Sequence, residues 1–224
     1  MKVLKLALCA AAASLLTAGA ASAEAPTVAW NVGAATDYVF RGISQTDEKP
    51  EVFGGVDVTS GILYGGLWTS NVDFGDDTAA EVDLYAGVTP TLGPVSTNIG
   101  VIYYGYVNGP SSNAYTEFKL AGSVPAGPVT LGAAVYYSPE FFGKTGEATY
   151  TEANASYSPM DKLTLSGAYG HQDVELAGDY NTWNIGATYA FTDHFSGDLR
   201  YSDTDVKDCD ICNERVYATI KATF

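Results

Sequence analysis

The chain has 224 residues, 24 of them glycine and 16 tyrosine; 46% are hydrophobic and only 17% charged, and 26 acids against 11 bases leave a net charge of -15. So acidic a surface repels nucleic-acid phosphate, and so many aromatics argue against a disordered chain. A mean hydropathy of +0.01 excludes a bundle of membrane helices, each of which needs ~20 mostly apolar residues in a row, and no such run exists beyond residue 25. What remains is a soluble β-rich protein or a membrane barrel, whose strands need be apolar only at every second position.

Residues 1–23 read as a secretory leader. Lys2 and Lys5 precede an apolar run from Leu6 to Leu16, and Ala21-Ser22-Ala23 presents the small residues that a signal peptidase reads, rather than the flank of a retained anchor helix. Cys9 is no lipidation site, since Leu8 stands where a small residue is needed. Cleavage after Ala23 leaves a domain over 24–224 with 26 acids against 9 bases, working outside the cytoplasm.

From there the dominant pattern is alternation. Val82, Leu84, Ala86 and Val88 interleave with Glu81, Asp83, Tyr85 and Gly87; Trp183, Ile185, Ala187, Tyr189 and Phe191 interleave with Asn184, Gly186, Thr188 and Ala190. Twelve such segments begin near Val28, Glu51, Ile62, Ala80, Val95, Tyr115, Val129, Ala148, Leu163, Tyr180, Phe195 and Arg215. Each approximates the ~9 to 11 residues of a tilted strand crossing a bilayer. The count falls to ten if Ser60-Gly61 is a bend within one strand or a weak segment is loop.

The connections carry a second period. Short ones (Ser60-Gly61, Pro90 to Pro94, Pro125 to Pro128, Pro159 to Lys162, Thr192 to His194) take turns with mostly longer polar ones (Gly42 to Pro50, Asp73 to Ala79, Asn108 to Ala114, Pro139 to Glu147, Glu175 to Asp179, Asp203 to Glu214). Greek-key sandwiches scramble that order, whereas outer-membrane barrels put tight turns at the periplasmic end and long loops outside. The expected fold is therefore all-β: a closed antiparallel up-and-down transmembrane β-barrel. Because hydrocarbon offers the backbone no hydrogen-bond partner, such a sheet must close on itself. Trp30, Phe40, Tyr103, Tyr137, Phe191, Phe195, Tyr201 and Phe224 lie near strand ends, where they would form interfacial girdles.

The last strand sets Val216, Ala218, Ile220, Ala222 and Phe224 on one face, and its terminal aromatic looks like the signal by which barrels reach their assembly machinery. Just before it, Cys209 and Cys212 form a C-x-x-C in a polar loop. An oxidising envelope favours a local disulfide there, over a redox dithiol or a metal site for which two ligands are too few.

At the first strand and its loop stands Tyr38-Val39-Phe40-Arg41-Gly42-Ile43-Ser44-Gln45, within Thr36 to Thr46. This string resembles the TorF-type family of proteobacterial porins, small outer-membrane barrels of similar length. The resemblance implies a porin-like role in the outer membrane and carries no catalytic or ligand-binding residue set.

With apolar positions facing lipid, their neighbours face the lumen: Asp37, Arg41, Asp57, Glu81, Asp83, Glu117, Lys119, Glu152, Asp198 and Arg200. Seven acids against three bases predict a narrow diffusion path for small polar solutes with a mild cation preference. The competing expectation is a plugged barrel, with Arg41 and Arg200 bridging acids, that acts structurally or adhesively through acidic outer loops. Asp76, Asp77, Asp203, Asp205, Asp208 and Asp210 populate those loops, which would meet cations bridging lipopolysaccharide phosphates. A hydrolase is a third expectation and a weaker one. His171 and Asp173 share a strand face, but Ser166 has the opposite parity, and His194 with Asp193 lies in a short turn. The sequence has no nucleophile elbow, zinc motif or phosphate loop, and no cofactor is expected. The partners expected are outer-membrane lipid, lipopolysaccharide, the assembly machinery and a second copy of the chain.

Overall fold

A computed structural model describes residues 25–224; the leader read over residues 1–23 lies outside them. Twelve long strands follow one another: β1 (Thr27–Ala35), β2 (Glu51–Ser60), β3 (Leu63–Asn71), β4 (Ala80–Val88), β5 (Val95–Val107), β6 (Tyr115–Ala126), β7 (Val129–Ser138), β8 (Ala148–Met160), β9 (Leu163–Val174), β10 (Gly178–Ala190), β11 (Phe195–Thr204) and β12 (Arg215–Thr223). Every one begins within two residues of its expected start. β10 starts earlier than Tyr180, shortening the preceding connection to Glu175–Ala177. The chain turns between two separate strands at Gly61-Ile62, one residue later than Ser60-Gly61, with Gly61 at φ +57°, a conformation that suits glycine.

Each strand pairs antiparallel with its sequence neighbours, and β12 pairs with β1, so the sheet closes with twelve strands. At the seam Trp30 and Phe224 exchange backbone hydrogen bonds of 3.0 and 2.9 Å, and their rings stack 4.5 Å apart. Phe224 thus lies on the closing joint. One irregularity falls between Tyr157 and Met160 on β8, where Pro159 cannot donate to the ladder.

The sheet has an inverted distribution of side chains. Leu84, Phe118, Ile185 and Ile220 are 45%, 53%, 65% and 64% exposed on the outside, while the most buried side chains include Glu117 and Gln172. Apolar outside and polar inside is stable only where hydrocarbon meets the wall. Trp30, Tyr103, Tyr137, Phe191, Phe195, Tyr201 and Phe224 lie exposed on that outer surface. Phe40 does not: its ring lies 6.0 Å from Tyr104, on the inside. The reason is that β1 ends at Ala35, and the chain beyond it leaves the wall instead of extending it.

Candidate functional site

Residues 36–50, the first connection at the loop end of the barrel, fold into the lumen. Val39–Phe40 pairs with Ile43–Ser44 in a small hairpin whose two turn residues, Arg41 and Gly42, have φ of +50° and +85°. Two successive positive φ values suit the right-handed twist of a two-residue hairpin and call for glycine at least once. Gly42 also lies against Thr182 and Thr204 of the wall, where a side chain has no room. Arg41 holds an uncommon conformation for a non-glycine residue, of the kind that persists when contacts over-determine it.

Those contacts are extensive. Arg41 donates from both terminal nitrogens to the two oxygens of Glu117 on β6, each at 2.8 Å, and from Nη1 to Oε1 of Gln172 on β9, also at 2.8 Å. Its guanidinium lies 4.2 Å from the Tyr150 ring centroid, 4.7 Å from Phe40 and 5.0 Å from Tyr136. Tyr104 adds a hydroxyl bond of 3.1 Å to Glu117. A planar fork meeting a carboxylate in two parallel bonds while stacked on aromatic faces is the geometry that arginine supplies and lysine does not. Burial opposes the Arg41 charge, but the Glu117 carboxylate outweighs it and holds the guanidinium above its ordinary pKa. A hairpin rooted between β1 and β2 is thereby fastened to β6 through β9 on the far wall.

The root is fastened too. Asp37 accepts from Ser44 Oγ at 2.6 Å, Thr46 Oγ1 at 2.9 Å and Arg215 Nη1 of β12 at 2.8 Å. Tyr38 donates to Glu81 at 2.8 Å, and burial followed by that carboxylate raises its phenol well above the ordinary value. Arg215 also lies 3.4 Å from Glu48. The segment 205–214 closes over this root, with Cys209 and Cys212 joined in a disulfide and Cys212 buried.

Of the ten residues assigned to the lumen by parity, Asp37 and Arg41 do not lie on wall strands at all. They ride on the infolded loop, so strand alternation had nothing to do with their placement. Of the rest, Asp198 and Arg200 pair at 3.1 Å, with Arg200 also reaching Asn184 at 2.7 Å and Ser166 at 3.0 Å. Asp57 accepts from Tyr85 at 2.6 Å, Glu152 accepts from Tyr150 and Asn154, and Lys119 stands 5.7 Å from the Tyr136 ring. Asp83 is buried with Oδ1 lacking any partner. Sequence reasoning missed Tyr38, Gln172 and Arg215. Ser166 bonds Arg200 inside, whereas His171 pairs with Asn181 on the other side of the wall, so the two are not brought together.

The hairpin divides the lumen. Toward the loop end lies a cavity of about 640 Å³ that reaches Phe40, Glu81 and Gln172; toward the turn end lies one of about 470 Å³ bordered by Lys119, Tyr136 and Glu152. Arg41 touches Gln172 on one side and Tyr136 on the other, and stands between them.

A closed up-and-down barrel with an apolar exterior and a polar lumen crossed by one infolded loop is a porin-like architecture. The chain belongs to the bacterial family described as a protein of unknown function, Gcw_chp, whose model matches residues 18–224. No curated protein matches the sequence. Among solved structures the chain resembles the KdgM porin, with a TM-score of 0.60 at 11% identity over 88% of this chain and 98% of that one. It also resembles an outer membrane channel from Pseudomonas putida (TM-score 0.54, 8% identity, 88% and 94% covered) and Salmonella typhi OmpF (0.51, 8%, 89% and 97%). At such identities the likeness is one of fold.

Proposed function

We propose that this protein is an outer-membrane channel for small polar solutes, mildly cation-preferring, whose path is closed at rest by the Arg41 hairpin. The observation that carries the reading is the pair of cavities stacked along one lumen, the outer walled largely by aromatic rings and the inner by polar side chains, with a seam of side chains between them. The string from Tyr38 to Gln45, in which the chain resembles TorF-type porins, is the part of the sequence that builds this seam. Residues 1–23 direct export, Phe224 addresses the barrel to its assembly machinery, the loop end faces outward toward lipopolysaccharide, and the apolar exterior meets lipid or a second copy.

The cation preference follows from what is left after pairing. Glu117 is neutralised by Arg41 and Asp198 by Arg200, but Glu51, Glu81 and Asp83 are buried on the hairpin's wall with no cationic partner among the described residues. One KdgM structure is a complex with oligogalacturonate, an acidic sugar chain. An acid-rich lumen opposes such a cargo, because like charges in a narrow path raise its electrostatic barrier.

A non-conducting barrel is the second reading, favoured by the burial of the Arg41–Glu117 pair. Planar-bilayer recording separates the two. The channel reading expects brief openings in the wild type, long openings when the seam is cut, and a reversal potential on the cation side. Silence in both proteins would overturn the channel, and anion selectivity would overturn the charge argument. Membrane fractionation with heat-modifiable gel migration tests the location.

A further inference from the structure

The outer cavity has a composition that diffusion alone does not require. Phe74, Tyr106 and Phe142 pack mutually with centroids 5.5 to 5.6 Å apart, and Tyr115 stacks 4.4 Å from Tyr104 and meets Phe141 edge-on at 4.7 Å. Three of these rings, Phe74, Phe141 and Phe142, sit on loops, where an apolar aromatic gains nothing from lipid and loses by contact with water. Together they wall a space of about 640 Å³ at the mouth of the lumen. That volume falls within the ~300 to 1,000 Å³ usual for small-molecule sites.

The charge of the lining has one sign. Asp47, Asp73, Glu81 and Asp179 border the cavity, and no lysine or arginine does. Lys49 answers Asp47 and Asp73 from outside at 3.0 and 2.7 Å, which leaves Asp179 and the buried Glu81. Glu81 is 2% exposed, accepts from the Tyr38 phenol at 2.8 Å and has the Tyr106 phenol beside it, but no cation; Asp83, two residues along the same face and outside the cavity lining, has a buried oxygen with no partner. An uncompensated buried carboxylate is costly, and a cation entering the cavity would relieve Glu81, which lines it. No trio of His, Cys, Asp or Glu among the described residues is placed to hold a metal ion. Aromatic faces over a carboxylate floor match a bulky organic cation instead, as in sites for alkylated ammonium groups.

We propose that the outer cavity is a binding site for small organic ammonium solutes, which it concentrates above the hairpin. This rests on the channel reading for its purpose, while binding itself is measurable without conduction. The probes are choline and its neutral isostere in which carbon replaces the quaternary nitrogen, titrated by calorimetry into the folded, detergent-solubilised barrel. Choline is expected to bind, the isostere to bind at least about tenfold more weakly, and Glu81→Gln to erase most of that difference. Phe142→Leu, in a loop outside the wall, is expected to weaken choline several-fold while heat-modifiable migration stays unchanged, which keeps the test meaningful if Glu81→Gln misfolds. Equal binding of choline and isostere, binding of maltose in preference to choline, or unaltered affinity in both variants would overturn the proposal. Choline binding by a barrel that never conducts would overturn the channel and leave the site standing; conduction without choline binding would do the reverse.

Discussion

Removal of the Arg41 side chain is the most direct challenge to the closed lumen. Glu117, with a side-chain exposure of 2%, would keep one donor, the Tyr104 hydroxyl, in place of a two-pronged cationic partner. Deleting one member of a buried ion pair costs about 3–5 kcal/mol, because the charge left behind is neither solvated nor paired. The wall need not bear that cost. The hairpin tip has then lost its hold on β6 through β9, and water can reach Glu117 if the tip withdraws. At 1.4 kcal/mol per tenfold, the balance between seated and withdrawn hairpin should shift by at least about a hundredfold. Single-channel recording of Arg41→Ala should therefore show a much larger open fraction than the wild type. Replacing both partners, as Arg41→Leu with Glu117→Leu, removes the stranded charge as well, and should re-seat the hairpin and restore short openings. If Arg41→Ala gates as the wild type does, the ion pair is not what closes the lumen.

Ile185, 65% exposed midway along β10, should tolerate lysine poorly in lipid: Ile185→Lys is expected to lower folding stability in bilayers by about 2–4 kcal/mol by urea titration, and a negligible change would show that this face does not meet hydrocarbon. The bond from Lys49 and the Gly75 N–H hold Asp73 below its ordinary 3.8, so its contribution to loop order is complete above that value and lost as pH falls through the lower folded one; the protection of amides 73–79, relative to their unstructured exchange rate at each pH, should fall in acid for the wild type and change much less in Asp73→Asn. Thiol labelling of the unfolded chain should find Cys209 and Cys212 blocked until a reductant is added, after which trypsin should cut faster at Lys207 in the refolded barrel.

The wall was legible because each of its strands stands between two solvents, and that difference is written at every second residue from Val28 onward. Even the tight turns announced themselves through Pro and Gly. The hairpin was not legible in the same way. Inside a polar lumen both faces of a strand meet protein or water, so Val39 to Ser44 carries no alternation to read, and Phe40 looks like any interfacial aromatic. Strand parity does not apply to Asp37 and Arg41, because the wall strand ends at Ala35. The Arg-Gly pair flanked by Phe40 and Ile43 is the local signal for a two-residue hairpin that was available and went unused. Gln172 and Arg215 lacked even that, since their roles arise from partners 131 and 178 residues away.

The distance between Asp37 and Arg215 along the chain sets an order of events. Arg215 opens the strand that seals the cylinder, and it grips the foot of the hairpin formed near the chain's beginning. A barrel missing its final stave would lack that grip as well as its seam, so the wall and its stopper are completed by the same arrival. A copy without that strand would leak twice over, through the gap at its side and down its middle, and the segment from Arg215 to Phe224 cures both faults at once.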